Sequence, residues 1–272
     1  MQRYQNVRAI AGTAMLAVAL LCGFPEPASS APIPVRVTVE NLSPTNGTFL
    51  TPVWVSFHNG NFDIYNLGEA ATPGLEAFAE DGATGVIASE FLASGAGTVE
   101  GTLSGIGPIG PGQSVSATFI LDSSDPMSQY FSYASMIIPS NDFFIANANP
   151  LAHSIFDGAG NFVGASFVIL GSAVRDAGTE VNDELESTTA FFSQAAPNTG
   201  TTENGVVSMT TGFIPNGRIL SSGMFGNADF TAQGYQIARV TVEAVPEPST
   251  VLLSLLGLGA IAWRTRRRRS AN

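Results

Sequence analysis

Hard cations are held by carboxylate and carbonyl oxygens on loops that bring six to eight of them to one point. Two stretches of this chain could supply such oxygens. In one, an apolar run from Ser135 ends in Pro139, Ser140 and Asn141, and Asp142 follows. In the other, Asp176, Glu180, Asp183 and Glu184 crowd into nine residues around Gly178. Asp176 and Glu180 flank a bend at Gly178 and can face a common point. A more remote carboxylate could complete the set if strands bring their ends together. The Asp-x-Asp-x-Asp-Gly pattern of a calcium-binding helical hand is absent. The chemistry suits a divalent cation such as calcium, and the competing reading is a solvated acidic loop.

Other reactive constellations are poorly supported. The chain has two histidines, His58 and His153, and no Gly-x-Ser-x-Gly elbow. Its one cysteine, Cys22, lies close to the N-terminus, and there is no His-x-x-x-His spacing for zinc. Gly105 to Gly110 spells the dinucleotide fingerprint. The helix such a site requires is replaced by Pro111, Gly112 and an alternating run, so a strand-to-strand loop is expected. Glu76 and Glu80 lie one helical turn apart and read as a solvated face, or as a glycosidase pair only if a cleft gathers them. Asp122 and Asp125 read as turn residues. No catalytic set emerges, and a non-enzymatic protein is expected. The alternative is an extracellular hydrolase acting on polysaccharide through acidic residues.

The elements that must position these residues are strands. Val35–Val39, Val53–Phe57, Ser114–Leu121, Tyr130–Ile138, Val206–Phe213 and Ile237–Val242 alternate with period two between turn residues, the pattern of an all-β antiparallel sandwich or barrel. Pro73 to Asp81 reads as a short helix, with proline at its start and Leu75 and Phe78 on one side. Residues 144–174 read as loops with one or two short strands. Over residues 31–248, four arginines stand against 21 acids, a formal charge of −17, and the whole chain has no lysine. Such a surface repels nucleic acid and attracts divalent cations.

The two ends read as addresses. Residues 1–30 have Arg3 and Arg8, an apolar run from Ala9 to Leu21 and small residues Ala28 to Ser30, the pattern of a secretory signal. Exported yet without cysteine in the body, the protein must be stable without disulfides. The C-terminal segment, 245–272, has Pro246-Glu247-Pro248, an apolar run from Val251 to Trp263, and five arginines between Arg264 and Arg269. Thirteen helical residues would cover about 20 Å of a ~30 Å hydrocarbon core, a marginal membrane helix. The arginines would stay on the cytoplasmic side. This tail resembles the PEP-CTERM sorting signal. The resemblance implies a Gram-negative envelope, an exosortase-type processing enzyme as partner, a membrane contact before processing, and a place at the cell surface or in the extracellular matrix.

The body, residues 31–244, resembles the spondin N-terminal domain. The residues that carry the resemblance are Ser132 to Ile145 with its Pro-Ser-Asn-Asp-Phe segment, Asp176-Ala-Gly-Thr-Glu180, and the closing strand Ile237 to Val242. Gly74 to Gly82 is similar to a segment of bacterial members. The resemblance implies a C2-like β-sandwich with a metal site at one loop end, in secreted matrix proteins of adhesion. It implies Asp142, Asp176 and Glu180 as the calcium ligands, Glu180 standing where the family has Asp, with Asp183 in reserve. The disulfides and further domains of animal relatives are absent, so their receptors do not transfer. The resulting expectation is an exported adhesion, biofilm or exopolysaccharide-associated protein with a calcium site.

Overall fold

A computed structural model describes residues 32–190, 192, 194 and 196–246. The expected secretory signal and nearly all of the sorting tail lie outside the described residues. In chain order the elements are β1 (Ile33–Asn41), β2 (Phe49–Leu50), β3 (Val53–His58), α1 (Pro73–Asp81), α2 (Gly85–Ser94), β4 (Val99–Leu103), β5 (Ser114–Leu121), β6 (Tyr130–Ile138), β7 (Phe143–Ala146), β8 (Ala165–Leu170), β9 (Arg175–Asp176), β10 (Ser208–Met209) and β11 (Gln236–Ala244). Two antiparallel sheets form. One has four strands in the order β5-β1-β11-β8. The other runs β10-β9-β7-β6-β3-β4, with β2 beside β6.

The sandwich core follows from strand alternation. In β1, Val35, Val37 and Val39 point inward, while Arg36 on the other face is exposed. Their partners on β11 are Ala244, Val242 and Val240, so at two of the three positions valine opposes valine across the ladder. The inward faces meet Val53, Val55 and Phe57 of β3 and Phe131 and Ile137 of β6 in one apolar cluster. The expected all-β sandwich is thus the observed architecture.

The central strands of the larger sheet are buried on both faces. Every residue of β3 and β7 is buried, and all of β6 after Tyr130. A second apolar cluster explains this: Trp54, Ala134 and Phe144 on the sheet's far side pack against Leu75 and Phe78 of α1 and Ile87 and Phe91 of α2. Helix α1 begins where expected. The Thr72 hydroxyl accepts from Leu75 N at 3.1 Å, Pro73 occupies the first turn, and Gly82 closes the helix in the left-handed region. Helix α2 is an addition to the single expected helix. It begins at a glycine without a side-chain cap, and its exposed Val86 and Leu92 blur its apolar face. The expected strand Val206–Phe213 shrinks to two residues, and Phe213 instead enters the sandwich core.

Candidate metal centre

The turn after β6 delivers Asp142. Ile138–Pro139 is a cis peptide, and the Ser140 hydroxyl donates to Ile137 O at 2.6 Å while accepting from Phe143 N at 3.0 Å. Asp142 is fully buried just before β7. Its Oδ2 accepts from Thr179 N at 2.8 Å, from the Thr179 hydroxyl at 3.3 Å and from Glu180 N at 3.1 Å. The carboxylate of one expected stretch therefore organises the backbone of the other.

Loop 176–182 is bent by sequence. Asp176 Oδ1 accepts from Gly178 N at 2.8 Å, a local Asx turn. Gly178 has φ +70, and a Cβ there would meet the backbone of Val206 at 2.6 Å. Residues 201–205 hold the loop from outside through Val181 N to Thr201 O, Glu203 N to Thr179 O and Gly205 N to Gly178 O. Glu180 is 2% exposed, and its Oε1 accepts from Gly200 N at 2.8 Å. A side chain at position 200 would fall on that carboxylate.

The three expected ligands therefore share one neighbourhood, with different commitments. Asp142 Oδ1 and Glu180 Oε2 are buried and have no hydrogen-bond partner. Such orphans are rare in proteins and ask for an explanation. Asp176 has both oxygens engaged, Oδ2 by the Asn182 amide at 3.0 Å. That same amide also acts on Asp142, so Asn182 places a donor near both carboxylates. Among the described residues, no three His, Cys, Asp or Glu side chains are arranged as a ready-made metal cluster.

Glu80 is a fourth member that sequence reasoning missed. The expected solvated face holds for Glu76, which is exposed, but Glu80 is only 3% exposed. Its carboxyl group shares the single hydroxyl proton of Thr179 with Asp142 and lies within electrostatic reach of Asp142. One cue existed. Glu80 and Asp81 end α1 with no basic residue in its last turn, against the helix dipole, so partners elsewhere must hold them. Asp81 finds Gln194 Nε2 at 3.3 Å and Asn198 N at 3.2 Å.

Burial and mutual repulsion raise these acids together. Burial first, then the charges of Glu76, Asp81 and Asp142, push Glu80 up to about 7. Burial and then Glu80 push Glu180 to about 7, and burial and then Asp142 push Asp176 to about 6. Asp142 is raised by burial, opposed by its donors from loop 178–182. Among the described residues, no arginine is paired with these acids. Arg175 donates to the carbonyls of Ser172 and Val174 and bonds the side chain of Tyr65, while the ion pairs of Arg218 and Arg239 are with Glu186 and Glu40 at the surface.

The remaining acids of the second stretch serve the backbone. Asp183 Oδ1 accepts from Leu185 N and the Thr188 hydroxyl, both at 3.0 Å. Glu184 is buried and binds Ile214 N at 2.7 Å and Ile219 N at 3.2 Å. Neither histidine resembles part of a triad. His58 Nδ1 accepts from Gly60 N, which leaves Nε2 to donate to the buried Ser132 hydroxyl at 2.7 Å. His153 stacks on Phe167 at 3.8 Å. Gly105 to Gly110 lies in the loop between β4 and β5, as expected, and Asp125 caps a single 3₁₀ turn.

Comparison with known proteins adds two matches. The Spondin_N family model matches residues 41–149, and the PEP-CTERM protein-sorting motif matches residues 244–269. No curated protein matches the chain. The sandwich itself extends past the first match, because β8, β9, β10 and β11 complete both sheets. Asp142 falls inside the matched range; Asp176 and Glu180 fall beyond it. The sorting motif implies processing by an exosortase and export to the cell surface of a Gram-negative bacterium. Among the described residues, no helix is long and apolar enough to cross a membrane; the expected tail helix lies outside them. Residues 41–149 thus match the Spondin_N family and residues 244–269 the PEP-CTERM sorting motif, and together the two matches support an exported surface protein.

Proposed function

We propose that this surface protein is non-catalytic, serves adhesion, biofilm or exopolysaccharide association, and holds a divalent cation, calcium by its ligand chemistry, at the loop end that gathers Asp142, Asp176 and Glu180. The observation that carries the reading is the pair of buried carboxylate oxygens without a hydrogen bond, Glu180 Oε2 and Asp142 Oδ1, the Asp142 carboxylate having only the shared Asn182 amide nearby besides its loop donors. Unpaired buried charge is costly, and a bound cation relieves it. Asp176 would join by exchanging its bond from Asn182 for the ion, and loop carbonyls would supply further oxygens. An open polar groove of about 150 Å³ lies beside the cluster, lined by residues that include Glu76, Gly178, Thr179, Thr202 and Asn204. Small hydroxyl and amide side chains suit a hydroxyl-rich ligand such as a glycan better than an apolar one.

Calcium at ten times its dissociation constant should stabilise the protein by about 1.4 kcal/mol. Extracellular modules often bind at ~10⁻⁴–10⁻³ M, so millimolar calcium is the range to test. The melting temperature of the exported protein should rise with calcium relative to chelated protein. Asp176→Ala should abolish the rise, and so should Gly200→Ala, which displaces Glu180 without removing a charge. A melting curve unmoved by calcium would sink the cation reading. Calcium-dependent retention on exopolysaccharide would support the adhesive role.

The second reading is a hydrolase acting on extracellular polysaccharide. What favours it is that Glu80 and Glu180 titrate near neutrality, as general acids do. Their burial speaks against access to a glycosidic bond. Glycan turnover that is lost in Glu80→Gln would establish it over the adhesive reading.

A further inference from the structure

Natural sheets protect their edges with charge, proline, bulges or very short strands, because an unpaired edge is a template for another strand. The seven-stranded sheet obeys this. Its edges are β10, two residues long, and β4, which carries Glu100 and Gly101. The four-stranded sheet reverses the rule. Its charges, Arg36, Glu40, Arg239 and Glu243, all sit on the central strands β1 and β11. Its edge strands, β5 (SVSATFIL) and β8 (ASFVIL), contain no charged residue, no proline and no glycine. Uncharged segments of this length and β-propensity are the kind that pair edge to edge.

No strand among the described residues covers either edge. Among the described residues, no backbone hydrogen bond joins β5 to anything but β1, or β8 to anything but β11. The inward side chains show the same gap. On β1 and β11 the inward Val35, Val37, Val39, Val240 and Val242 are buried; on the edge strands Leu121 and Ile169 are buried too, but Val115, Ala117 and Phe119 of β5 and Phe167 of β8 are only half-buried. Apolar surface is therefore reachable from the side at each edge.

We propose that β8 of one copy pairs with β5 of the next, joining four-stranded sheets into a continuous head-to-tail array. Strand polarity selects this occupant. All neighbours in the sheet are antiparallel, and with four strands β5 and β8 point in opposite directions. A second copy in the same orientation thus presents β5 antiparallel to β8, extending the existing hydrogen-bond pattern. Because the two edges differ, the contact is heterologous and does not close on itself, which is the geometry of a filament. The inference is independent of the cation, and the strong negative charge of the body means that association needs screening salt.

The test uses the full chain, exported through its own signals and collected as the cell processes it, in chelator and physiological salt. Sedimentation should show species that grow with concentration beyond a dimer. Ser116→Glu on β5 and Val168→Glu on β8 place charge on exposed outward positions, so each should keep the wild-type melting profile yet sediment as a monomer. Mixed one to one, the two variants should form a heterodimer and nothing larger, because only one intact β8 and one intact β5 remain to meet. Thr118→Glu and Leu170→Glu serve if either first choice misfolds. A wild-type protein that stays monomeric overturns the proposal. So does association that survives Ser116→Glu but not Val168→Glu, which would mean a symmetric β8 pair, and so does a variant mixture that fails to pair.

Discussion

The two sheets are built from similar alternating strands but live in different solvents. The four-stranded sheet has one dry face and one wet face. It keeps Arg36, Glu40, Arg239 and Glu243 in water, where charge costs little. The centre of the seven-stranded sheet is dry on both sides because α1 and α2 cover its second face. What would have been its polar outer face holds Trp54, Ser56 and His58 on β3 and Ser132 on β6, all buried. The covering layer also encloses Glu80 and the carboxylates beyond it. Buried acids with raised pKa values therefore collect beside the covered sheet. Whether a strand is covered on its second face, more than its own sequence, decides what its polar residues do.

The largest expected effect tests that covering layer. Trp54 is fully buried between β3 and the helices, against Phe62 and Phe91, and its indole donates to Glu100 at 2.9 Å. Trp54→Ala should cost about 3–5 kcal/mol in urea unfolding. Thr241→Ala, half-buried on the wet face of the other sheet, should stay within about 0.5 kcal/mol. Equal costs would mean that the helices rest on the sheet without sharing its core.

This asymmetry also marks where sequence reading succeeds. The strands of the sandwich were legible because alternation survives in them: Ser114–Leu121 and Tyr130–Ile138 have the expected bounds, and β1 and β11 extend theirs by a few residues. The covering of the second face was not. Trp54 was the only large apolar residue on that face of β3, and α2, which packs on it, starts at Gly85 without a cap. The site divides likewise. Asp142, Asp176 and Glu180 stand in recognisable turns, whereas Glu80 looks like an ordinary surface glutamate of a short helix. Its burial comes from loop 178–180 folding over the end of that helix, a contact across a hundred residues; the unanswered charge at the helix end hints that a partner is needed but does not say which.

A middle-sized effect concerns pH in calcium-free protein. Glu80 and Glu180 at about 7 and Asp176 at about 6 hold their protons more tightly folded than unfolded, where carboxyls titrate near ~4. The native state binds more protons across that window, so these acids contribute stability that is complete at low pH and lost as pH rises towards about 7. His58, lowered to about 4 by burial, acts in the opposite sense, and its contribution is lost as pH falls from about 6.5. His153, also lowered by burial, acts as His58 does, and the three strongly raised acids against these two histidines should make the chelated protein less stable at neutral pH than in mild acid. Glu80→Gln should flatten the decline, and calcium should remove most of it. A Glu80→Gln profile parallel to wild type would place the pH response outside the covered region.

The smallest effect belongs to the wet sheet. Arg239 and Glu40 are register partners on β11 and β1, and their ion pair closes at 2.8 Å. Short as it is, the pair is 45% and 38% exposed, so water and salt screen the attraction and ordering both side chains offsets part of it. Arg239→Ala should therefore lower stability by no more than about 1 kcal/mol, and by less in high salt. The same pair buried beside Glu80 would behave differently, since removing one partner would strand the other charge in a dry site. A measured loss for Arg239→Ala approaching that of Trp54→Ala would mean that the outer face of the four-stranded sheet is not free in solution. The head-to-tail array would not explain such a loss, because it pairs the sheet's edges and leaves this face in water.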